Sequence, residues 1–554
     1  MIVSKTKYLS QFKRIFQIIL IKFYILSISS IAVSSNLNKE NFGGKIYYVS
    51  IWGNDTNSGL TEFLPWKTLK KVSDFKFLPG DIIRLRGGDK FEENLIFNNE
   101  DGTDDEPITI TSYGNGKATI APSSSNGKGI TIIGRGGFII ENLKIVGDYN
   151  TETFKTKDSL GIGIYIFNLS KRKCSTIQIK SLNISNFKSK GIDIGGDSIS
   201  SNGYTKIDIS NCIIGNCGDK GINIWGLRYQ NILISGNTIF NIHGFRPHFH
   251  GFSGNGISLA IVYNAVLERN LIFNNGKYAE HSGGGIVTGS SKNIIVRYNE
   301  IYGIKSNDID GDGIDFDNGS DSCIAEYNYI HNVEGIGILI SGEDKGSGSD
   351  CNVIRYNICK NAGLKNNQAS IFIYSTSGAD NNRIYNNTII NTSSKRNTSI
   401  CLQIFGNTTN TYIYNNIFYS VNSSELLNVD NSKHLNLRFL ANSYFTDGGD
   451  FIINWGRLKI DNFEDFIRST GQEISENIVF GKYGNPKLIN PLTTRDTINN
   501  PYSIDTLTAY KLLPESFLIN NGINLDTISN PPSKDFYGTL LPEYGRVDIG
   551  AYEH

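Results

Sequence analysis

Ile294-Ile-Val-Arg-Tyr-Asn299, Ile324-Ala-Glu-Tyr-Asn328 and Val353-Ile-Arg-Tyr-Asn357 share one pattern, a short run with alternating apolar positions closed by Tyr and then Asn. Alternation of period two sends one side of each run inward, which marks a strand and not a helix. The Asn recurs at Asn183, Asn211, Asn237, Asn270, Asn299, Asn328, Asn357, Asn387 and Asn416, in steps of 28, 26, 33, 29, 29, 29, 30 and 29 residues. Each Asn is followed by a second apolar pair and a loop. A further strand then opens on Gly-Ile at Gly191, Gly221, Gly256, Gly285, Gly313 and Gly337. None of these strands is long enough to bury itself, so successive units must stack on one another. Near-constant coil length with variable loops predicts an all-β chain, a right-handed parallel β-helix (solenoid) with short capping helices and an irregular C-terminal cap; the hand follows from that of parallel crossovers. Coils about 4.8 Å apart bring equivalent Asn side chains into register as a hydrogen-bonded ladder. Leucine-rich repeats would need a Leu grid at shorter period, and propeller blades would need hairpin turns.

Composition agrees with a large packed core. Hydrophobic residues make up 39% of the 554, glycine is abundant at 58, and there is one methionine. That is too apolar for disorder. The formal net charge of zero leaves no global field to recruit nucleic acid or anionic lipid. Seven cysteines, Cys174, Cys212, Cys217, Cys323, Cys351, Cys359 and Cys401, are too few and too scattered for a disulfide framework, and most sit in strand-like runs as small buried hydrophobes.

The ends of the chain differ from its middle. Lys5, Lys7, Lys13 and Arg14 precede an apolar run from Phe23 to Val33 and then Ser34-Ser35, the order of a secretory signal. A cleaved signal over residues 1–34 predicts a secreted or periplasmic protein with no integral membrane domain after its removal. Lys22 interrupts a longer apolar stretch from Ile15, and the alternative is an uncleaved anchor. Residues 35–145 read as an N-terminal cap and first coils, 146–420 as the repeat array, and 421–554 as C-terminal coils and a cap segment. Trp66, Leu69, Val72 and Phe75, spaced by three, predict a short helix stopped by Pro79-Gly80. A second helix is expected over Asp461–Thr470, with Asp461 as N-cap and Gly471 past its end. Beyond residue 420 the period fades. The Pro-rich tail closing on Asp548-Ile-Gly-Ala-Tyr-Glu553 reads as an irregular cap laid along the coil that shields the last edge.

Three consecutive loops between the ladder Asn and the Gly-Ile strand are elaborated. The first carries His243, Arg246, His248 and His250, the second Lys277, Tyr278, Glu280 and His281, and the third Asp308, Asp310 and Asp312. In adjacent coils these loops gather on one edge, so that four of the protein's seven histidines face five carboxylates between Asp308 and Asp317. His331 and His434 read as structural. Asp308-x-Asp310-x-Asp312-Gly313 matches the first half of a calcium loop, with alternate oxygens facing one point. Its second half departs from an EF-hand, since Gly319 stands where a bidentate Glu belongs. In Gly313-Ile-Asp-Phe-Asp317, Ile314 and Phe316 alternate inward, and Asp315 and Asp317 are expected to point out to solvent.

The block Tyr47 to Leu69, the Asn-bearing coils, Asn442-Ser-Tyr-Phe445 with the Phe463 to Gly471 helix, and the terminal Asp-Ile-Gly-Ala-Tyr-Glu resemble secreted bacterial right-handed parallel β-helix proteins, the pectate lyase-like superfamily of polysaccharide lyases and glycoside hydrolases. The resemblance spans nearly all of the expected mature chain and implies a polysaccharide substrate lying along the edge that carries the three loops. It implies first a lyase. Asp308, Asp310, Asp312, Asp315 and Asp317 would hold Ca2+ to neutralise a uronate, His281, His248, Lys277 or Arg246 would supply the base, and His243, His250, Lys277 and Tyr278 would bind substrate. It implies as an alternative a glycoside hydrolase, in which Asp315 and Asp317, roughly 6–7 Å apart along the strand, act as a carboxylate pair with Glu280 in reserve. A third reading is a non-catalytic glycan-binding surface, with Tyr298, Tyr327 and Tyr356 stacked in a column whose simpler role is packing.

Overall fold

The alternating runs become strands, and the strands sort into three parallel sheets. The structure, a computed structural model, describes residues 43–122, 127–150, 161–169, 173–196, 203–226, 231–245, 252–281, 283–307, 309–343, 348–392, 398–494, 497–524, 531–542 and 545–554. The expected signal over residues 1–34 lies outside them. Lys45–His554 forms one compact unit. A first sheet of 14 strands runs from Ile46–Val49 to Arg438–Leu440, and a third of 14 from Lys90–Phe91 to Lys482–Tyr483. The second, of 15, runs from Leu95–Phe97 to Leu458–Ile460. Along most of the array each coil contributes one strand to each sheet and pairs in parallel with the next coil, as where Ile286↔Ile314 continues to Ile314↔Ile338. The last pair of the second sheet, Ile453–Trp455 with Leu458–Ile460, is antiparallel, and His434–Leu435 adds a short strand beside Ile400–Thr409. This is the parallel β-helix that the repeat predicts. Its interior is a continuous file of isoleucines, with Ile257, Ile286, Ile314, Ile338 and Ile371 all fully buried.

A single residue in the left-handed region turns the chain from the first sheet into the third. Tyr298, Tyr327 and Tyr356 have φ of 55°, 56° and 51°, and the Asn that follows each is fully buried. The backbone N and Nδ2 of Asn299 both donate to Asn328 Oδ1, at 3.1 and 2.9 Å, while Nδ2 also donates to the carbonyl of Leu267 one coil back at 3.0 Å. The expected ladder therefore exists, with corrected ends. Asn183 and Asn211 are not rungs. Asn211 is itself the left-handed residue, at φ 55°, and the rung position belongs to Cys212, whose N donates to Asn237 Oδ1 at 2.9 Å. Asn tolerates the left-handed turn as readily as it makes a rung, so the same residue type marks two adjacent positions. At the other end the ladder continues past residue 420 to Asn442, which donates through N and Nδ2 to the carboxyl of Glu473 at 3.2 and 2.7 Å. The Gly-Ile glycines have a separate cause: a Cβ on Gly285 or Gly313 would lie 2.6 or 2.5 Å from the carbonyl oxygen of the next coil.

Both helices are shorter than expected. The first spans Leu69–Asp74 behind the N-cap Thr68, and Trp66 lies outside it, bridged to Val49. The second spans Phe463–Thr470 with Asn462, not Asp461, as N-cap, and it buries Phe466 against Tyr444 and Trp455 to close the end of the core. The tail is laid along the coil as expected, after Lys482–Tyr483 has paired in parallel with the last coil's strand Ser443–Asp447. Residues 497–524, 531–542 and 545–554 lie along the flank of the solenoid, from Tyr502, whose hydroxyl donates to Asn211 Oδ1 at 3.3 Å, to Ile523, whose N donates to Asn415 Oδ1 at 2.9 Å. The tail covers the tyrosine column: Tyr327, Tyr356 and Tyr385 are buried beneath it, and Tyr327 donates to the carbonyl of Lys534 at 2.9 Å. These tyrosines pack; they offer no free ring face. All seven cysteines are free, and all but Cys351 are buried. Among the described residues no helix is long and apolar enough to cross a membrane.

Candidate functional site

Strand Ile314–Asp317 of the second sheet follows the third elaborated loop, in which Asp310 (φ 57°) and Gly311 (φ 96°) turn the backbone sharply. Ile314 and Phe316 enter the core as expected. Asp315 and Asp317 point away from it, but solvent does not reach them freely, which corrects the expectation of exposure. Asp315 sits in register between Val287 of one neighbouring coil and Leu339 of the other. Its Oδ1 is buried with no hydrogen-bond partner among the described residues. Burial, and next the charge of Asp317, hold its carboxyl well above the ordinary carboxylate range, with Asp312, Asp310 and Glu343 adding to the effect.

Asp317 faces Gly289 on one side. Burial pushes its carboxyl up to about 6, and Glu343 adds to the rise, while the Ser341 hydroxyl and the N–H of Asn318 act in the opposite direction by bonding the ionised form. Asp312, also raised by burial and by Asp310, accepts from the N–H of Ile336 at 2.6 Å and so clips two coils together. Glu343 and Ser341 are absent from the sequence-based candidates. Glu343 follows strand Ile338–Gly342 of the next coil, and aligning that strand with Ile314–Asp317 by its Gly-Ile opening would have placed both beside Asp317.

The preceding loops form a second group. The N–H of Tyr278 donates to the carbonyl of His243 at 2.6 Å, and the two rings lie 5.9 Å apart. Lys277 Nζ sits 4.8 Å from the centre of the Tyr278 ring. Neither nitrogen of His243 has a hydrogen-bond partner among the described residues, and burial lowers its pKa, with the Lys277 charge adding to the effect. His243, Lys277 and Tyr278 thus come together as the loop register predicts. Glu280 is half-buried and His281 exposed. Arg246, His248, His250 and Asp308 lie outside the described residues. Among the described residues no three His, Cys, Asp or Glu side chains form a metal-ligand set. Asp315 offers an unpartnered oxygen suited to a cation, whereas Asp312 is committed to a backbone N–H, so the carboxylates present fit Ca2+ only in part. The two roles expected of His331 and His434 are structural: His331 is fully buried beside Glu300, Nε2 to Oε1 3.3 Å, and His434 bonds Asp430 and Thr408.

The arrangement supplies two carboxyl groups on one face of the second sheet, both raised by burial, that of Asp315 well above the ordinary range and that of Asp317 to about 6. A group held protonated donates a proton, and one ionised beside it abstracts a proton or attacks.

Comparison with known proteins bears mainly on the fold. The model of the right-handed β-helix region matches residues 155–321 and 248–389. A 113-residue stretch is 36% identical to lacto-N-biosidase of Bifidobacterium longum subsp. longum, covering 18% of this chain and 7% of that protein; the chain thus matches only a small part of that relative's length. Among solved structures, a GH136 lacto-N-biosidase from Eubacterium ramulus is similar at 18% identity and a TM-score of 0.46, over 71% of this chain and 68% of that one. The pectate lyase Pel9A is similar at 14% identity and a TM-score of 0.40, over 92% and 96%.

Proposed function

We propose that this right-handed parallel β-helix protein is a carbohydrate-active enzyme that hydrolyses glycosidic bonds at the Asp315–Asp317 strand. The observation that carries the reading is the buried carboxyl of Asp315, whose Oδ1 has no hydrogen-bond partner among the described residues, two residues from a carboxyl pushed up to about 6. Asp315, held protonated by its apolar flanks, is the general acid that gives its proton to the leaving glycosidic oxygen. Asp317, whose ionised form is bonded by Ser341 and the Asn318 N–H, activates water or attacks the anomeric carbon. Separation of roughly 6–7 Å between alternate residues of a strand lies above the range for retention and reaches the lower end of that for inversion. Export behind the N-terminal segment would bring such an enzyme to an extracellular polysaccharide.

The crowding of carboxyl groups favours one second reading, a lyase acting on a uronate polymer. Calcium, if bound by these aspartates, would neutralise the substrate carboxylate. His243 and Lys277 in the adjacent loop would then hold or receive the proton taken from the sugar. Product analysis on neutral and uronate polysaccharides, with and without chelator, separates the two. New reducing ends without unsaturated sugars, insensitive to chelator, are expected. Unsaturated ends that vanish with chelator would replace hydrolysis by elimination.

A further inference from the structure

We infer that the outward face of the second sheet is a binding cleft for a neutral glycan chain lying parallel to the solenoid axis, with Trp225 and the Tyr374–Phe405 pair as stacking platforms on opposite sides of the carboxylate cluster. The inference rests on the proposed hydrolytic site and names its substrate class.

The position occupied by Asp317 can be followed from coil to coil. Toward the N-terminus it passes through Gly289 and Ala260 to Trp225. Toward the C-terminus it passes Ser341, then Tyr374 and Phe405. Trp225 and Phe405 are thus each three coils from Asp317, roughly 14 Å at the spacing of stacked strands. Between Trp225 and Asp317 the floor carries almost no side chain, and a Cβ built on Gly289 meets nothing within 4 Å. A trough floored by Gly and Ala and ended by aromatic rings accommodates a chain and not a single sugar.

Trp225 is built as a platform. A Cβ on Gly195 would lie 2.3 to 2.6 Å from Cε2, Cζ2 and Nε1 of the indole, so the ring lies flat over that glycine. Its Nε1 donates to Asp193 Oδ1 at 3.1 Å, and Asn223 donates to the same oxygen at 2.7 Å. Asp193 is itself buried and paired with Lys190. With its polar edge bound inward and one face on the sheet, the half-buried indole turns its other face outward, where the C–H face of a sugar ring packs. On the far side, Tyr374 and Phe405 stack 5.4 Å apart at 24°, and Phe405 is 41% exposed. Asp315 and Asp317 project from one strand, and Glu343 directly follows the strand of the next coil, so an anionic sugar laid on this face would meet a cluster of acidic groups of its own sign. The chemistry of the face therefore selects a neutral chain.

The test is binding of wild type and Asp315→Asn to an array of neutral hexose and N-acetylhexosamine oligosaccharides, alongside hexagalacturonate with and without calcium. The expected result is binding of at least one neutral oligosaccharide, weakened roughly tenfold by Trp225→Ala and by Phe405→Ala and largely retained by Trp225→Phe. Neutral-glycan binding unchanged by Trp225→Ala, binding of no neutral glycan, or tighter binding of hexagalacturonate, with or without calcium, would each overturn the inference. Trp225-dependent binding without any bond cleavage by wild type would leave the cleft standing and overturn the hydrolytic reading alone.

Discussion

Asp315 and Asp317 show how one strand position decides chemistry. Their outward direction follows from period two alone. Their burial does not, because it depends on Val287 and Leu339 in coils 28 residues before and 24 after, and on the Glu343 charge that follows the next strand. Asp315→Asn keeps shape and removes the proton donor, so kcat should fall about 10²- to 10⁴-fold with little change in KM. The same substitution should raise Tm at pH 7 by roughly 1–3 °C, since it removes a group whose ionisation opposes folding; calorimetry checks it. The sign of the pH dependence follows from the raised pKa values. A carboxyl raised by folding contributes its stabilisation in full below its unfolded pKa and loses it as pH rises through the folded value, about 6 for Asp317. Thermal stability should therefore decline between pH 4 and 7, and Asp317→Asn should flatten part of that decline. Glu473 and Glu553, each pushed up to about 7 by burial, account for a remainder that the variant leaves in place.

At the scale of the element, the coil is specified by two adjacent residues, the left-handed turn residue and the buried Asn. Reading Asn alone captures the period from Asn237 onward and slips by one at Asn183 and Asn211, where Leu182 and Cys212 take the inner position and Asn takes or follows the turn. The slip has a physical origin: a buried rung can be filled by any small or apolar side chain if the neighbouring Asn still bonds its N–H, as Asn237 does for Cys212. In the middle of the ladder no such freedom remains. Asn328→Ala would strip the Asn299 N–H of its acceptor, take one of the acceptors of Asn299 Nδ2, and leave the Val296 carbonyl without its Asn328 partner. At about 1–3 kcal/mol for each unsatisfied buried group, a loss of roughly 3–5 kcal/mol is expected, measurable by denaturant unfolding. Helix limits missed by a few residues for a similar reason, since Trp66 has helical spacing but is held by a bridge to Val49.

For the molecule as a whole, stacking, parallel pairing and an inward file of isoleucine were legible from the repeat. The placement of the tail along the coil was legible too, but its individual partners were not, because they lie up to 291 residues away in sequence, at Asn211. The tail covers the tyrosine column, so a chain ending at residue 496 should expose Tyr327, Tyr356 and Ile358, bind a hydrophobic dye and self-associate, as light scattering would register. The meeting of His243 with Lys277 and Tyr278 was legible from the loop register, while the candidate carboxylates sit on the strand that follows, where the repeat supplies rigid positions for acidic side chains. A rigid parallel sheet that holds two carboxyls side by side, both raised by burial, supports the proposed hydrolysis. The direct measurement is turnover of a cleaved glycan in heavy-oxygen water, with products analysed by mass spectrometry. The account predicts one heavy oxygen at each new reducing end with wild type and almost none with Asp315→Asn. Products that carry no label and instead gain a carbon–carbon double bond would contradict it.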